Sequence, residues 1–135
     1  VGLDFVRRLI KDPSRLTILG DGRQSKSYIH VFDVVAAVLQ ANRYCTKRFE
    51  TFNVATGDYI TVTEIADLVV QCLELPARPI FEYAGGDRGW KGDVPIVRLN
   101  ADRIQSLGWT CRYSSREAQR AALLSLISDE RTSRD

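Results

Sequence analysis

The chain has 135 residues, 44% of them hydrophobic and 27% charged, with a formal net charge of +2. That length suits one domain with its own core, and so small a net charge argues against nucleic acid or a membrane surface as a partner. No apolar run spans a bilayer, no secretory signal opens the chain, and three widely spaced cysteines with one histidine give neither a disulfide framework nor a metal set, so a reducing cytoplasm is the expected compartment.

Val1 to Lys11 is expected to be helical. Phe5 and Leu9, and Val6 and Ile10, recur four apart, and Pro13 stops the run. The chain opens inside this helix and has no methionine, so it reads as part of a longer protein. Arg15 to Leu19 is a short strand with Leu16 and Ile18 toward a core. Gly20 to Asp33 reads as turn, strand and helix start. Asp21-Gly22 is a turn dipeptide, Tyr28 to Val31 alternates like a half-buried strand, and Asp33 suits the positive end of a helix dipole. Phe32 to Asn42 is apolar nearly all round, the mark of a buried helix, and Arg43 to Arg48 follows as a solvated basic loop.

Glu50 to Ala55 is the second clear strand. The next helix has the strongest start signal. Thr61 caps it, Glu64 reaches back, and Ile60 packs on Ile65; Ile65, Leu68, Val69, Cys72 and Leu73 mark its core face. Pro76 and Pro79 bracket a break before a strand at Ile80 to Tyr83. Ala84 to Asp93 is a glycine-rich loop, and Val94 to Leu99 is extended. Asn100 caps a short helix through Leu107, and Gly108 ends it in the left-handed region. Ser114 to Glu117 opens the last helix with a second capping box, and that helix runs to about Ser128. The polar residues 129–135 are expected to fray. The fold class is therefore α/β, with four to five helices around short strands. Residues 1–128 form a single domain, with too little sheet for a complete doubly wound fold.

Chemistry gathers at Arg23, Gln24, Lys26 and Tyr28. Two cations, an amide and a phenol on one loop and strand edge suit an anion beside a flat ring or a sugar; a solvated hairpin with ordinary charges fits the same spacing. Gly20-Asp21-Gly22-Arg23-Gln24-Ser25 begins like a dinucleotide turn but ends in serine and lacks a β-α-β frame. No tyrosine has lysine four residues on: Tyr44 meets Arg48 and Tyr113 meets Glu117. No base–nucleophile pair is evident, so no catalytic residue is assigned.

Three stretches together resemble the extended short-chain dehydrogenase/reductase family of nucleotide-sugar epimerases, dehydratases and decarboxylases. Gly20 to Asp33 is similar to its Gly-x-Gly-x-x-x-Arg-x-Tyr-Ile-His-Val-x-Asp segment. Phe52-Asn53-Val54-Ala55-Thr56-Gly57 precedes the helix that opens at Thr61. Arg88-Gly89-Trp90-Lys91-Gly92-Asp93-Val94-Pro95 is followed by Leu99-Asn100-Ala101-Asp102 and Leu107-Gly108-Trp109. The resemblance covers nearly the whole chain and falls in the family's smaller C-terminal domain. It implies a substrate-binding part that clamps a nucleotide-diphosphate sugar and is not catalytic alone. The missing partner is an N-terminal Rossmann domain that holds NAD; no cofactor site is implied in this chain. Lys26 stands where the family has the diphosphate arginine, with Arg23 beside it, and Tyr28 matches the family tyrosine near the substrate. Thr17 and Leu19 are implied neighbours of the base. Arg88 and Asp93 are implied contacts for phosphate and ribose, with Arg88 offset from the family position. Trp90 either stacks on the ligand or pins the loop. A reading from a different class is a non-enzymatic relic that self-associates, as a homo-oligomer, through the face its missing domain left bare.

Overall fold

A computed structural model describes residues 1–86, 89, 92 and 97–132. Its elements run α1 (Gly2–Lys11), β1 (Arg15–Ile18), β2 (Ser25–Lys26), α2 (Val31–Tyr44), β3 (Ile60–Thr61), α3 (Val62–Leu73), β4 (Ile80–Tyr83), α4 (Asp102–Gln105) and α5 (Ser115–Thr132). This is the α/β class, with five short-to-medium helices and little sheet among the described residues. β1 pairs with β4 in parallel, Arg15 against Ile80 through Ile18 against Tyr83. β2 pairs with β3 antiparallel, Ser25 against Thr61 and Lys26 against Ile60.

The core lies where α1, α3 and α5 meet β1. Phe5, Val6 and Leu9 come from α1, Leu16 and Ile18 from β1, Ile65, Leu68 and Val69 from α3, and Leu123 and Ile127 from α5. Each fully buried side chain of this size contributes about 1.5–3 kcal/mol by leaving water. The alternation of β1 is the reason Thr17 faces outward while its neighbours are buried. The expected core face of α3 holds, with Cys72 and Leu73 packed at its margin. Burial raises the Cys72 thiol above its ordinary pKa.

The capping signals are realised atom for atom. Glu64 N–H donates to Thr61 Oγ1 at 3.2 Å, and Thr61 N–H donates to Glu64 Oε2 at 2.8 Å. Ser114 and Glu117 repeat this at α5, at 3.2 and 2.8 Å. Thr61→Ala should therefore lower stability by about 1 kcal/mol. Urea unfolding reads this directly, and an unmoved midpoint would contradict the cap's role.

Several expectations are corrected. Tyr28 to Val31 is not a strand. The only pairing in this stretch is β2, two residues earlier, and His30 instead caps α2, its Nδ1 accepting from Phe32 N–H at 3.2 Å. Glu50 to Ala55 is not a strand either; among the described residues no strand pairs with it. α2 runs on through Arg43 and Tyr44, so the loop expected from Arg43 starts at Cys45. Asn100 sits two residues before α4, one ahead of its N-cap Ala101, and its Oδ1 accepts from Asp102 N–H at 2.8 Å. Gly108, with φ of 87°, ends that turn as expected. α5 continues to Thr132, beyond the expected end near Ser128, and Glu130 ties it to Arg7 on α1 at 2.8 Å.

The largest correction concerns α2. Its composition predicts burial, yet only Asp33 and Ala37 are buried. Val31, Phe32, Val38 and Leu39 are exposed. The buried side rests on a small second cluster of Ala37, Ala101, Ile104 and Trp109.

Candidate functional site

A cleft of about 260 Å³ opens between α1, the loop after β1, β2 and the start of α3. Thr17, Leu19, Lys26 and Tyr28 line it, as do Gln24, Arg8 and Gly89. Four of the residues expected at a site thus converge. Arg23 does not join them. It sits exposed on the Asp21-Gly22 turn, its N–H donating to Asp21 Oδ1 at 2.9 Å. Arg88, Trp90 and Asp93 lie outside the described residues.

Each lining residue is held by a neighbour. Lys26 is placed by the β2–β3 pair. The Tyr28 N–H donates to Ser115 Oγ at 3.0 Å, so the buried first residue of α5 sets that backbone. Ser115 is held in turn by Asp58, whose Oδ1 accepts from the Ser115 hydroxyl at 2.8 Å. Burial opposes the Asp58 charge. Hydrogen bonds from Thr56 and Ser115 outweigh it and hold the carboxyl below its ordinary pKa. Gln24 is 4% exposed, and its amide donates to the Leu19 carbonyl at 3.1 Å. The Gln24 carbonyl accepts from Val62 N–H at 3.0 Å, so this one residue joins the cleft floor to α3.

Arg8 is the cation that sequence reasoning missed. Val1, Asp4, Phe5 and Arg8 share the face of α1 that borders the cleft. The signal was present as that spacing, but the core pairs of the same helix masked it. Arg8 Nη1 donates to the Thr17 carbonyl at 3.3 Å, and its Nε pairs with Asp4 at 3.1 Å. A solvent-exposed pair of this kind is worth about 0–1 kcal/mol, so an incoming anion takes Arg8 from Asp4 at little cost. The arrangement offers apolar walls from Leu19, Ile60 and Val62 beside the cationic side chains of Arg8 and Lys26.

The glycine turn does not fit a dinucleotide. It leads into β2, not into a helix N-terminus that could receive a pyrophosphate. The space at Gly22 is already filled: a Cβ there would lie 2.3 Å from Thr63 Oγ1 and 2.5 Å from Tyr83 Cε1.

The buried Asp33 and the half-buried Cys111 form a pair outside the cleft, with Cys111 Sγ donating to Asp33 Oδ2 at 3.1 Å. Burial, then the hydrogen bond and charge of Asp33, push the Cys111 thiol up to about 11, so it stays protonated at neutral pH and is no nucleophile. Among the described residues no group of three His, Cys, Asp or Glu is placed to hold a metal. No described helix is long and apolar enough to cross a membrane.

No family model matches the sequence. A putative UDP-glucose 4-epimerase of Methanocaldococcus jannaschii is 26% identical over 128 residues, which are 95% of this chain and 39% of that one. The fold matches a UDP-galactose 4-epimerase with a TM-score of 0.76 at 28% identity, covering 96% of this chain and 40% of that chain. It also matches MoeE5, solved with UDP-glucose and NAD, with a TM-score of 0.68 at 28% identity, covering 93% of this chain and 42% of that chain. These relatives are nucleotide-sugar epimerases and their kin. This chain spans 39% of the curated relative's length and 40% of the matched epimerase structure.

Proposed function

We propose that this chain is the C-terminal, substrate-binding part of an NAD-dependent nucleotide-sugar epimerase or dehydratase, and that its cleft holds the nucleotide diphosphate of the sugar. The observation that carries this reading is the convergence of Thr17, Leu19, Lys26 and Tyr28 on one cleft, with Arg8 beside them. The UDP-glucose and NAD in the MoeE5 structure support the same ligand class. In this reading Leu19, Ile60 and Val62 face the base, while the Lys26 ammonium and the Arg8 guanidinium neutralise the diphosphate. Arg88 and Asp93 are proposed as further contacts from the glycine-rich loop, whose Gly89 borders the cleft. NAD, in the whole enzyme, supplies hydride transfer from a Rossmann portion outside this sequence, and the isolated chain is not catalytic. A cytoplasmic setting fits the ligand and the three free thiols.

The cleft volume of about 260 Å³ sits below the range of about 300–1,000 Å³ of sites that enclose a whole small molecule. It has room for part of a nucleotide sugar, so weak, millimolar binding is expected. Lys26→Ala should raise the dissociation constant for UDP about 10- to 150-fold, since a charge-assisted contact of about 1.5–3 kcal/mol is removed. The backbone pairing of β2 does not depend on that side chain. Calorimetric or NMR titration measures the change, and equal affinities for the two proteins would sink the assignment of Lys26.

A second reading, a non-enzymatic module that self-associates, draws on the exposed apolar residues of α2. Light scattering that returns a clean monomer at high concentration removes it.

A further inference from the structure

The stretch that carries Lys26 and Tyr28 is clamped from behind by a chain of hydroxyls that ends on a carboxylate. Ser27 lies between the two cleft residues, and its Oγ is 2.6 Å from Thr56 Oγ1. Thr56 Oγ1 is 3.0 Å from Ser115 Oγ. The Ser115 hydroxyl reaches Asp58 Oδ1 at 2.8 Å, and the Ser115 N–H donates to both Asp58 oxygens, at 3.0 and 3.1 Å. Ser115 is fully buried, and its Oγ accepts from Tyr28 N–H. Side chains from three separate parts of the sequence thus close on the peptide between Ser27 and Tyr28.

The carboxylate gives this chain its direction. An ionised carboxylate only accepts, and a hydroxyl has one proton to give. The Ser115 proton therefore goes to Asp58, which leaves Ser115 Oγ as an acceptor for Tyr28 N–H. Thr56 faces two acceptors, Ser115 Oγ and the Asp58 carbonyl at 3.1 Å, so its proton lies on their side. Ser27 is then the donor in its contact with Thr56. Hydrogen bonds in such a chain strengthen one another. With its carboxyl held below the ordinary pKa, Asp58 keeps this order at neutral pH. An amide in its place could donate to Ser115, and the order would be lost. The same loop also holds Lys26 through the backbone, since Ile60, two residues after Asp58, is its ladder partner. None of Thr56, Asp58 and Ser115 lines the cleft, so their effect is on position and not on contact.

We propose that Asp58 is a positioning residue for the cleft: acting through Ser115 and Thr56, it fixes the backbone at Ser27 and Tyr28 and so sets where Lys26 and Tyr28 meet the nucleotide diphosphate. This rests on the functional reading above. Side chains that bind a ligand depend on a supporting shell of this kind for their geometry.

The test is NMR titration with UDP of the native chain and four variants, each first checked for a dispersed, folded spectrum. Asp58→Asn keeps the shape of the carboxylate and should weaken UDP binding about five- to tenfold. Thr56→Val removes only the middle hydroxyl and should act in the same direction, while Thr56→Ser restores that hydroxyl and should restore the native affinity. Glu117→Ala is the control. It takes from α5 the carboxylate that accepts from Ser114 N–H and its hydroxyl, one residue before Ser115, and so loosens the same helix end without touching the chain of hydroxyls. It should leave UDP affinity unchanged. If Asp58→Asn does not fold, the two Thr56 variants decide. A folded Asp58→Asn or Thr56→Val with native affinity overturns the proposal. So does a Thr56→Ser chain as weak as Thr56→Val, or a Glu117→Ala chain as weak as Asp58→Asn, since either would mean a general loosening. A native chain that binds no UDP removes the functional reading itself, and this inference with it.

Discussion

Asp33→Ala is expected to lower stability by about 3–5 kcal/mol, a large part of the roughly 5–15 kcal/mol that holds a domain folded. Asp33 is fully buried at the first turn of α2. Its carboxylate accepts from Arg112 N–H and Tyr113 N–H at 3.2 Å each, and from the Cys111 thiol at 3.1 Å. Truncation leaves two backbone donors without partners and opens a void, and each orphaned donor costs about 1–3 kcal/mol. Asp33→Asn keeps the shape and part of the bonding, so it should cost less. Burial opposes the charge of Asp33. Hydrogen bonds from Cys111, Tyr113 and Arg112, and the nearby His30, outweigh it and hold the folded carboxyl below its ordinary pKa. A depressed folded value contributes stability that is full above the unfolded pKa of about 3.9 and is lost as pH falls through the folded one. The stability gap between the native chain and Asp33→Asn should thus be constant above about pH 4 and shrink below it. Urea unfolding across that range measures the gap; a gap independent of pH would mean that the charge at Asp33 contributes nothing.

Gly22→Ala should be the next most damaging change, at about 2–4 kcal/mol from backbone strain and overpacking together. Gly22 has φ of 77°, and an added Cβ would meet Thr63 Oγ1 at 2.3 Å. Thr63 has little freedom to give way. Its N–H and hydroxyl both donate to the Gly22 carbonyl, at 3.1 and 3.2 Å, and the hydroxyl also meets Tyr83 Oη at 3.1 Å. Gly57 separates the two contributions. Its φ of 85° is just as strained for alanine, but nothing lies within 4 Å of a Cβ there, so Gly57→Ala should cost only about 1–2 kcal/mol. The excess at Gly22 reports the packing of the turn on α3 and β4. Equal losses at both glycines would show that the turn is loosely seated. Because the turn leads directly into β2, Gly22→Ala should also weaken nucleotide binding at Lys26.

The parts of this fold that read well from sequence are those decided locally. Thr61 with Glu64, and Ser114 with Glu117, close hydrogen bonds within one helical turn, and the alternation of Leu16 and Ile18 needs only a core on one side. The readings that failed depend on partners elsewhere. Glu50 to Ala55 has the composition of a strand but, among the described residues, no strand beside it. The apolar surround of α2 predicts burial, yet among the described residues nothing covers Val31, Phe32, Val38 or Leu39. At the site, Lys26 and Tyr28 were legible because one short stretch carries them. Arg8 was not, since its role depends on α1 packing beside β1, where its guanidinium reaches the Thr17 carbonyl. Gln24 was seen as one more polar group of a loop; its work of joining Leu19 to α3 appears only when the loop folds back.

The most direct test is a backbone NMR titration of the isolated chain with UDP, GDP and dTDP up to millimolar concentration. Shifts should gather at Thr17, Leu19, Lys26 and Tyr28 with at least one of the three, and leave α4 and the end of α5 unmoved. A spectrum that does not change at Lys26 or Tyr28 with any of the three would contradict the nucleotide-binding account of this cleft.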